Sequence, residues 1–256
     1  MSEITLGILG GGQLGSMLSV AAKKLNIKTI IYSDDPEAPA QNFCDNFYCE
    51  SYIDKEKIYD FAKKVDVITY EFENIPYETL NEINKLKPVL PKPSVNRLIQ
   101  HRIAEKDFIN KLNIRTTRYA SIEKKSEIDS LQDLLPGILK TTTLGYDGKG
   151  QHLIHSIEDL DTINIDYSKG YILEKLVKLK KEISIIVTRF SDKKYETYEP
   201  IENLHEDQIL KYSTIPAVIS DKILGQSKLW ATQIAEELKY VGTLCVEFFI
   251  DRNENL

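Results

Sequence analysis

The first hundred residues alternate between short apolar runs and segments with helical spacing. Residues 4–9, 28–32 and 65–70 are apolar runs of strand length. Residues 13–25 place apolar side chains at helical spacing between the first two runs, and residues 55–64 form an amphipathic stretch before the third. Strands that alternate with helices indicate βαβ units, so this region predicts an α/β fold with a doubly wound, Rossmann-like parallel sheet.

The pattern changes around the prolines at positions 88, 91 and 93, and we predict domains at residues 1–97 and 98–256. In the second domain, residues 182–190 alternate cleanly as a strand, and residues 193–199 are its expected hairpin partner. The other predicted elements are helices at 102–112 and 220–238 and strands at 137–140, 151–154, 171–174 and 243–250. Because the chain ends soon after that last strand, we expect it to be a fragment of a longer protein.

Composition and charge exclude several classes of function. The chain is 42% hydrophobic and 28% charged, which is typical of globular proteins. The 33 basic and 39 acidic side chains give a net charge of −6, which disfavours nucleic-acid binding. Three cysteines are too few for a disulfide framework or a four-cysteine zinc site, and no apolar run is long enough to span a membrane. The start of the chain does not resemble a signal peptide, so we expect a cytoplasmic protein without nucleic-acid or membrane partners.

The first glycine-rich loop is Gly10-Gly11-Gly12-Gln13-Leu14-Gly15, which fits G-x-G-x-x-G between a predicted strand and a predicted helix. Asp34 and Asp35 follow at about the spacing of one βαβ unit. Backbone N–H groups at a helix N-terminus can bind a phosphate, so NAD binding is one interpretation. A tight strand-to-helix turn without any dinucleotide is the other.

The second glycine-rich loop follows Lys140, which closes an apolar strand. Glycines at 145, 148 and 150 are interleaved there with Asp147 and Lys149. A lysine at a strand end beside a flexible loop is a reasonable phosphate clamp, although the sequence is not a Walker A motif. An ordinary solvated hairpin turn is the alternative interpretation.

Three motifs together resemble the 5-(carboxyamino)imidazole ribonucleotide synthase family of ATP-grasp ligases. They are Gly12-Gln13-Leu14-Gly15, Tyr70-Glu71-Phe72-Glu73-Asn74, and Lys140 with Gly145-Tyr146-Asp147-Gly148-Lys149-Gly150-Gln151. The resemblance extends from about residue 4 to residue 256. It implies a pre-ATP-grasp domain at 1–97 and an α+β ATP-grasp domain at 98–256, truncated at its C-terminus, with a lid at about 115–175.

The resemblance implies an ATP-dependent carbon–nitrogen ligase of de novo purine biosynthesis. Members use ATP with Mg²⁺ and bicarbonate to carboxylate the amine of 5-aminoimidazole ribonucleotide, and release ADP and phosphate by way of carboxyphosphate. That mixed anhydride hydrolyses easily, so a lid that excludes water has a clear purpose. The family often forms homodimers, which is a further expectation for this chain.

The same resemblance assigns a set of nucleotide contacts. Arg102 and Lys140 match cations that contact phosphates, with Lys106 as an alternative to Arg102. Glu174 and the backbone after it match the segment that holds adenine, while Glu182 matches the ribose-binding acid. The alternatives are that Arg102 is a surface residue, that Glu182 lies on a solvated strand face and that His205 is structural. The expected ATP-binding residues are Arg102, Lys140, Gly145, Tyr146, Asp147, Gly148, Lys149, Gly150, Gln151, Glu174, Lys175, Leu176, Val177, Glu182 and His205.

Glu247 has a physical argument of its own. It lies in an apolar stretch at 245–250, where an unpaired carboxylate would be costly. A cation partner would remove that cost. The resemblance makes Glu247 a magnesium ligand, in keeping with the preference of Mg²⁺ for carboxylate and phosphate oxygens. A buried salt bridge is the alternative.

The imidazole substrate is expected to contact the first domain and the lid. From the first domain the resemblance offers Gln13, Glu71 and Glu73 as substrate-binding residues. From the lid it offers Tyr146, Asp147 and Lys149 as catalytic residues that orient the amine and the carboxylating species.

The sequence departs from the family after the last predicted strand. The family continues with Asn-Glu-Ile-Ala-Pro-Arg and an Asn-Ser-Gly-His segment, which supply a second metal ligand and basic substrate contacts, and neither is present here. We therefore expect nucleotide recognition to be at best weak and turnover by these 256 residues to be slow or absent.

Three other functions are alternatives to this interpretation. The first is a formate-dependent glycinamide ribonucleotide transformylase on the same fold, which usually has Pro-Glu-Ile-Glu where this chain has Glu71-Phe72-Glu73-Asn74. The second is an NAD-dependent oxidoreductase that uses the first glycine-rich loop. The third is a nucleotide-binding regulator without catalytic activity.

Overall fold

The chain forms two compact units, residues 1–97 and residues 98–256. The structure is a computed structural model and describes residues 4–144, 150–163, 165–206 and 209–256. Within those ranges, none of the helices has the length and apolar character that crossing a membrane requires.

The first unit contains a four-stranded parallel sheet with the strand order β3-β2-β1-β4. Its strands are β1 (Thr5–Leu9), β2 (Lys28–Ser33), β3 (Asn46–Cys49) and β4 (Val67–Tyr70). The helices of this part of the chain are α1 (Gln13–Lys24), α2 (Lys55–Lys63), α3 (Tyr77–Ile83) and α4 (Pro93–Ile99). This arrangement confirms the predicted doubly wound sheet. Its strand order reverses between β1 and β4, and ligands of such folds bind at that point.

Helix α1 buries its small side chains and exposes its large ones. Ser16 and Ser19 are buried, whereas Leu14 and Met17 are 58% and 61% exposed. A Cβ on Gly15 would lie 2.9 Å from the Gly10 carbonyl oxygen, so the helix approaches the β1 loop too closely for larger residues. The apolar spacing therefore predicted the helix correctly, but it does not mark the buried face.

The second unit contains two sheets whose neighbouring strands are antiparallel. One sheet, with the order β5-β8-β6-β7, consists of β5 (Tyr119–Ile122), β6 (Gly137–Thr141), β7 (Gln151–Ile154) and β8 (Tyr171–Lys175). The other has the order β10-β9-β11-β12, with β13 also paired to β9. Its strands are β9 (Leu179–Arg189), β10 (Tyr195–Thr197), β11 (Ile201–Glu206), β12 (Ile209–Thr214) and β13 (Gly242–Asp251). The helices of this unit are α5 (Arg102–Lys111), α6 (Ile157–Thr162) and α7 (Asp221–Glu237).

The five-stranded sheet has one buried face and one polar face. Ile183, Ile185 and Val187 are fully buried in a cluster with residues of α7. Directly opposite residues of an antiparallel pair share a face, and Ser184 lies opposite Glu247. The alternation along β9 thus places Glu182, Ser184 and Glu247 together on the other face, as predicted for Glu182.

Candidate functional site

A cavity of about 620 Å³ in the second unit gathers several of the predicted site residues. Among its lining residues are Arg102 and Lys106 of α5, Lys140 of β6, Glu174 of β8 and Glu247 of β13. Val177 also lines it, with apolar side chains of α7 and β13. Cations and carboxylates therefore share one cavity with an apolar wall, which suits a ligand that is partly ring and partly phosphate.

Glu174 is the centre of a buried charge cluster. Its side chain is 9% exposed, and Lys140 Nζ lies 2.9 Å from its Oε2. Lys106 Nζ lies 3.3 Å from its Oε1. Two lysine side chains thus share one carboxylate, so the cluster has more cationic than anionic groups.

The electrostatics of this cluster follow from burial and pairing. Burial acts to raise the pKa of Glu174, but the charges of Lys106 and Lys140 outweigh it and hold that pKa below its ordinary value. Burial lowers the pKa of Lys106, although the neighbouring Glu174 opposes the shift. Glu174 is therefore held in its ionised form.

Arg102 is held beside the strand that carries Lys140. Its Nε donates to the carbonyl oxygen of Thr141 at 3.1 Å, and its backbone N–H donates to the carbonyl of Thr142 at 2.9 Å. Because those carbonyls directly follow Lys140, the start of α5 and the end of β6 place both cations at the same end of the cavity.

Glu182 and His205 form a close pair on the polar face of the five-stranded sheet. His205 Nδ1 lies 2.8 Å from Glu182 Oε2, although their contact lacks hydrogen-bond geometry. The neighbouring Asn203 was not predicted as a site residue, and its Nδ2 donates to Ser184 Oγ at 2.6 Å. In register, Asn203 lies opposite Glu182 and Ser184 lies opposite Glu247. These polar groups form a continuous strip beside Glu247.

Glu247 is exposed, so the expectation that it is buried among apolar residues is wrong. Its apolar neighbours in the sequence, Val246 and Phe248, point to the α7 face, and the carboxylate points to the other. A carboxylate that lines an open cavity needs no buried partner. It is available to a cation that arrives with a ligand.

Within the described ranges, His, Cys, Asp and Glu side chains do not form a cluster of three or more that could hold a metal ion. A protein cage for a metal is therefore not seen there. Mg²⁺ commonly binds through one or two carboxylates together with substrate phosphates and water, so Glu247, which lines the same cavity as Arg102 and Lys140, fits that kind of site.

Five of the predicted residues lie outside the described residues. They are Gly145, Tyr146, Asp147, Gly148 and Lys149. The adjoining Gln151 pairs with Lys140 in the β6–β7 register, and Gly150 has φ +72°.

The two residues after Glu174 contact the segment between β5 and β6. Lys175 Nζ donates to the carbonyl of Asp133 at 2.7 Å, and the Leu176 N–H donates to the carbonyl of Pro136 at 2.9 Å. The Lys175 side chain thus contributes to the packing of the sheet formed by β5, β6, β7 and β8. Adenine recognition by this stretch would therefore use its backbone rather than the Lys175 ammonium.

In the first unit, a carboxylate from another part of the chain is already hydrogen-bonded to the first glycine-rich loop. Glu71, directly after β4, accepts a hydrogen bond from the Gly12 N–H at 2.7 Å. That donor is one that a dinucleotide phosphate would need, and two anions would repel each other there. The geometry therefore disfavours the NAD interpretation.

Besides Glu71, the predicted substrate residues are Gln13 and Glu73, which follow the ends of β1 and β4. Gln13 is the exposed first residue of α1, and Glu73 is exposed after β4. Asn96, which is fully buried, donates through Nδ2 to the Glu73 carbonyl at 2.9 Å and fixes the backbone there. No pattern in the sequence predicts this role for Asn96.

Comparisons with known proteins agree with this geometry. Residues 107–256 match the family model of the ATP-grasp domain, and residues 3–100 match that of the ribonucleotide synthetase preATP-grasp domain. The N5-carboxyaminoimidazole ribonucleotide synthase of Brucella melitensis is 34% identical, over 98% of this chain and 71% of that protein.

Solved structures give the same result. The Staphylococcus aureus N5-carboxyaminoimidazole synthetase, solved with ADP, has a TM-score of 0.92 and 33% identity over 98% of this chain and 68% of that chain. The Aspergillus clavatus N5-carboxyaminoimidazole synthase, solved with ADP and 5-aminoimidazole ribonucleotide, has a TM-score of 0.85 and 25% identity over 99% of this chain and 68% of that chain. By its sequence and its fold, the chain belongs to the N5-carboxyaminoimidazole ribonucleotide synthase family of ATP-grasp enzymes.

Proposed function

We propose that this chain carries the ATP-dependent carboxylation of 5-aminoimidazole ribonucleotide. Bicarbonate attacks the γ-phosphorus of ATP, which releases ADP and forms carboxyphosphate. The exocyclic amine of the ribonucleotide then takes up the carboxyl group and loses a proton, and phosphate leaves. The products are 5-(carboxyamino)imidazole ribonucleotide, ADP and phosphate.

The observation that carries this proposal is the single cavity that unites Arg102, Lys140, Glu174 and Glu247. Phosphoryl transfer depends mainly on positioning and on neutralising charge at the transferred group. Arg102 and Lys140 are the cations for that task, and the segment from Glu174 to Val177 is the proposed adenine contact. The Glu182–His205 pair is the proposed ribose contact on the adjoining sheet face.

The residues around Glu247 fit a magnesium ion that arrives with the nucleotide. Glu247 would hold it with one carboxylate, and the phosphates would supply further oxygens. When bound, the ion supplies charge neutralisation at the phosphate oxygens. Glu182 lies on the same sheet face and is assigned to the ribose rather than to the metal.

For the second step we propose that the loop residues Tyr146, Asp147 and Lys149 orient the amine and the carboxylating species. A carboxylate can orient and accept a proton from the amine, and an ammonium can hold the anhydride. The proposed task of the loop is to exclude water, because carboxyphosphate would otherwise hydrolyse. Gln13 and Glu73 are the proposed ribonucleotide contacts of the first unit. Glu71 holds the backbone of the first glycine-rich loop through its hydrogen bond from the Gly12 N–H.

A homodimer is a further part of the proposal, which analytical ultracentrifugation tests.

The experiment measures phosphate release from ATP labelled with ³²P at the γ-position, because this readout detects even a single slow turnover. We expect release above the ATP-only level only when 5-aminoimidazole ribonucleotide and bicarbonate are both present. Equal stimulation by glycinamide ribonucleotide with formate would instead assign the chain to the formate-dependent reaction. Release that is the same with and without bicarbonate would contradict the proposal. Lys140→Met should abolish the stimulation, whereas the exposed Lys111→Met on α5 should retain it.

A further inference from the structure

Lys140 has two tasks that compete in this structure. The proposed function requires its ammonium at the phosphates of the nucleotide, yet here it is bound to Glu174 Oε2 at 2.9 Å. Glu174 is buried. If Lys140 turned to a phosphate, the buried carboxylate would lose a partner, and an uncompensated buried charge is strongly unfavourable.

Lys106 is placed to remove that conflict. It lies one helical turn after Arg102 on α5 and approaches the other oxygen of the same carboxylate at 3.3 Å. Its side chain is 16% exposed, and its ammonium lies 5.5 Å from the centroid of the Tyr119 ring. It is therefore held in place from two sides and is oriented toward Glu174.

We propose that Lys106 is a positioning residue, which keeps Glu174 compensated so that Lys140 is free to bind the phosphates of the nucleotide. This inference rests on the proposed nucleotide site in the cavity. It assigns Lys106 a role through Glu174, and not a direct contact with phosphate. It also explains why a site for a polyphosphate contains a buried carboxylate between its cations.

The inference predicts how the phosphate-dependent part and the adenosine part of the nucleotide affinity respond when the Lys106 charge is removed. Without the Lys106 charge, Glu174 and Lys140 form a neutral one-to-one pair, and Lys140 can reach a phosphate only by leaving a buried charge behind. The phosphate-dependent part of the affinity should then fall, whereas the adenosine part should not. The ratio of the adenosine and ADP dissociation constants reports that phosphate-dependent part, because contacts to adenine and ribose cancel in it.

The test measures that ratio by calorimetry with ADP and with adenosine, in magnesium-free buffer, for the whole chain. We expect Lys106→Met to lower the ratio about tenfold or more, within the range of coupling between contacting charged residues. Lys106→Arg, which keeps the charge, should stay within about threefold of the unmodified chain. Lys111→Met removes a charge from the exposed end of the same helix and should leave the ratio unchanged.

A double variant separates action through Glu174 from direct contact. In Lys106→Met with Glu174→Gln, Lys140 has no carboxylate to hold it, so the ratio should return to that of Glu174→Gln alone. If Lys106 touched phosphate itself, the double variant would instead keep the full loss, and the inference would be overturned. An unchanged ratio in Lys106→Met would overturn it as well. If Lys106→Met fails to fold in a melting measurement, Lys106→Gln gives the same comparison with a neutral donor to Glu174.

Failure of the proposed function would give a different calorimetric result from failure of the Lys106 role. In that case the unmodified chain itself would bind ADP no more tightly than adenosine. A chain that prefers ADP but is indifferent to Lys106 contradicts only the role of Lys106.

Discussion

The carboxylate of Glu71 accepts a hydrogen bond from the backbone N–H of Gly12, with 2.7 Å between Oε1 and nitrogen. Glu71 follows β4, and Gly12 lies in the loop after β1, so the bond connects the two strand ends at which the order of the parallel sheet reverses. In a dinucleotide-binding protein of this topology, that position is taken by the pyrophosphate. Here the chain supplies its own anion.

Gly10→Ala should destabilise the chain strongly because of this arrangement. Gly10 has φ +106°, and an added Cβ would lie 2.7 Å from Glu71 Oε1. Backbone strain and the displaced carboxylate together should cost about 2 kcal/mol or more, which differential scanning calorimetry would show as a lower melting temperature. Gly225→Ala is the matched control, since nothing lies within 4 Å of its added Cβ in the helix α7. That variant should be neutral or slightly stabilising, and an equal loss in both variants would contradict the account.

The charge cluster around Glu174 should make stability depend on pH in the acid range. Since the pKa of Glu174 is lowered by Lys106 and Lys140 against the effect of burial, its contribution is present above the unfolded-state pKa of about 4.3 and is lost as pH falls through the folded-state pKa. Glu174→Gln should therefore lower the melting temperature at pH 7, where breaking a buried pair costs about 3 kcal/mol. The difference from the unmodified chain should shrink as the pH falls below about 4. A difference that stays constant down to pH 3 would show that Glu174 does not carry this contribution.

Removal of the Glu247 carboxylate should weaken magnesium-dependent binding of ADP and leave the fold intact. Because Glu247 is exposed, Glu247→Gln should change the melting temperature by less than about 1 °C. Calorimetry should show that magnesium strengthens ADP binding to the unmodified chain, and that the variant or added EDTA removes this effect. Glu196→Gln, on the exposed strand β10, is the control and should behave like the unmodified chain. Magnesium enhancement that survives Glu247→Gln would exclude this residue as a ligand.

Arg189 should be important for the packing of α7 on the sheet. It is 5% exposed, its Nε donates to Glu236 Oε2 at 2.8 Å, and its Nη1 donates to the Tyr240 carbonyl at 3.0 Å. Arg189→Met removes both hydrogen bonds of this buried side chain and should cost about 2 kcal/mol, measured as a lower melting temperature. Lys193→Met removes an exposed charge close by in the chain and should be neutral. Equal effects of the two variants would show that the Arg189 contacts contribute little.

Much of the fold was predictable because its elements follow simple periods. The alternation of Ile183, Ile185 and Val187 predicted both the strand β9 and its buried face. The hairpin partner was predicted too, and it is the short strand β10. In contrast, β12 is exposed at every residue, so it has no burial period from which a sequence pattern could identify it.

In two places the apolar residues of the sequence do not mark the buried side chains, for the same physical reason. Helix α1 and the stretch around Glu247 both contain apolar residues, but an apolar neighbourhood in the sequence does not determine which face is covered. For α1, the close approach of Gly15 to the β1 loop selected the small side chains as the packing face. For Glu247, the strand period placed the carboxylate opposite to its apolar neighbours.

The site depended on contacts between distant parts of the chain. Lys106, Lys140 and Glu174 belong to three separate elements, and a single sequence contains no signal that they meet. The resemblance to a family supplied Lys140 and Glu174, whereas the role of Lys106 became visible only from its distance to Glu174. Tyr146, Asp147 and Lys149 remain predictions.

The most direct test of the central claim is the melting temperature of the chain with magnesium-ATP and, separately, with NAD. A ligand that binds only the folded state stabilises it by RT ln(1 + [L]/Kd), about 2.7 kcal/mol at a hundredfold excess over Kd. We predict a rise of several degrees with magnesium-ATP, its loss in Lys140→Met, and no rise with NAD. A rise with NAD alone, or one with magnesium-ATP that is unchanged in Lys140→Met, would contradict the assignment of the cavity as an ATP site.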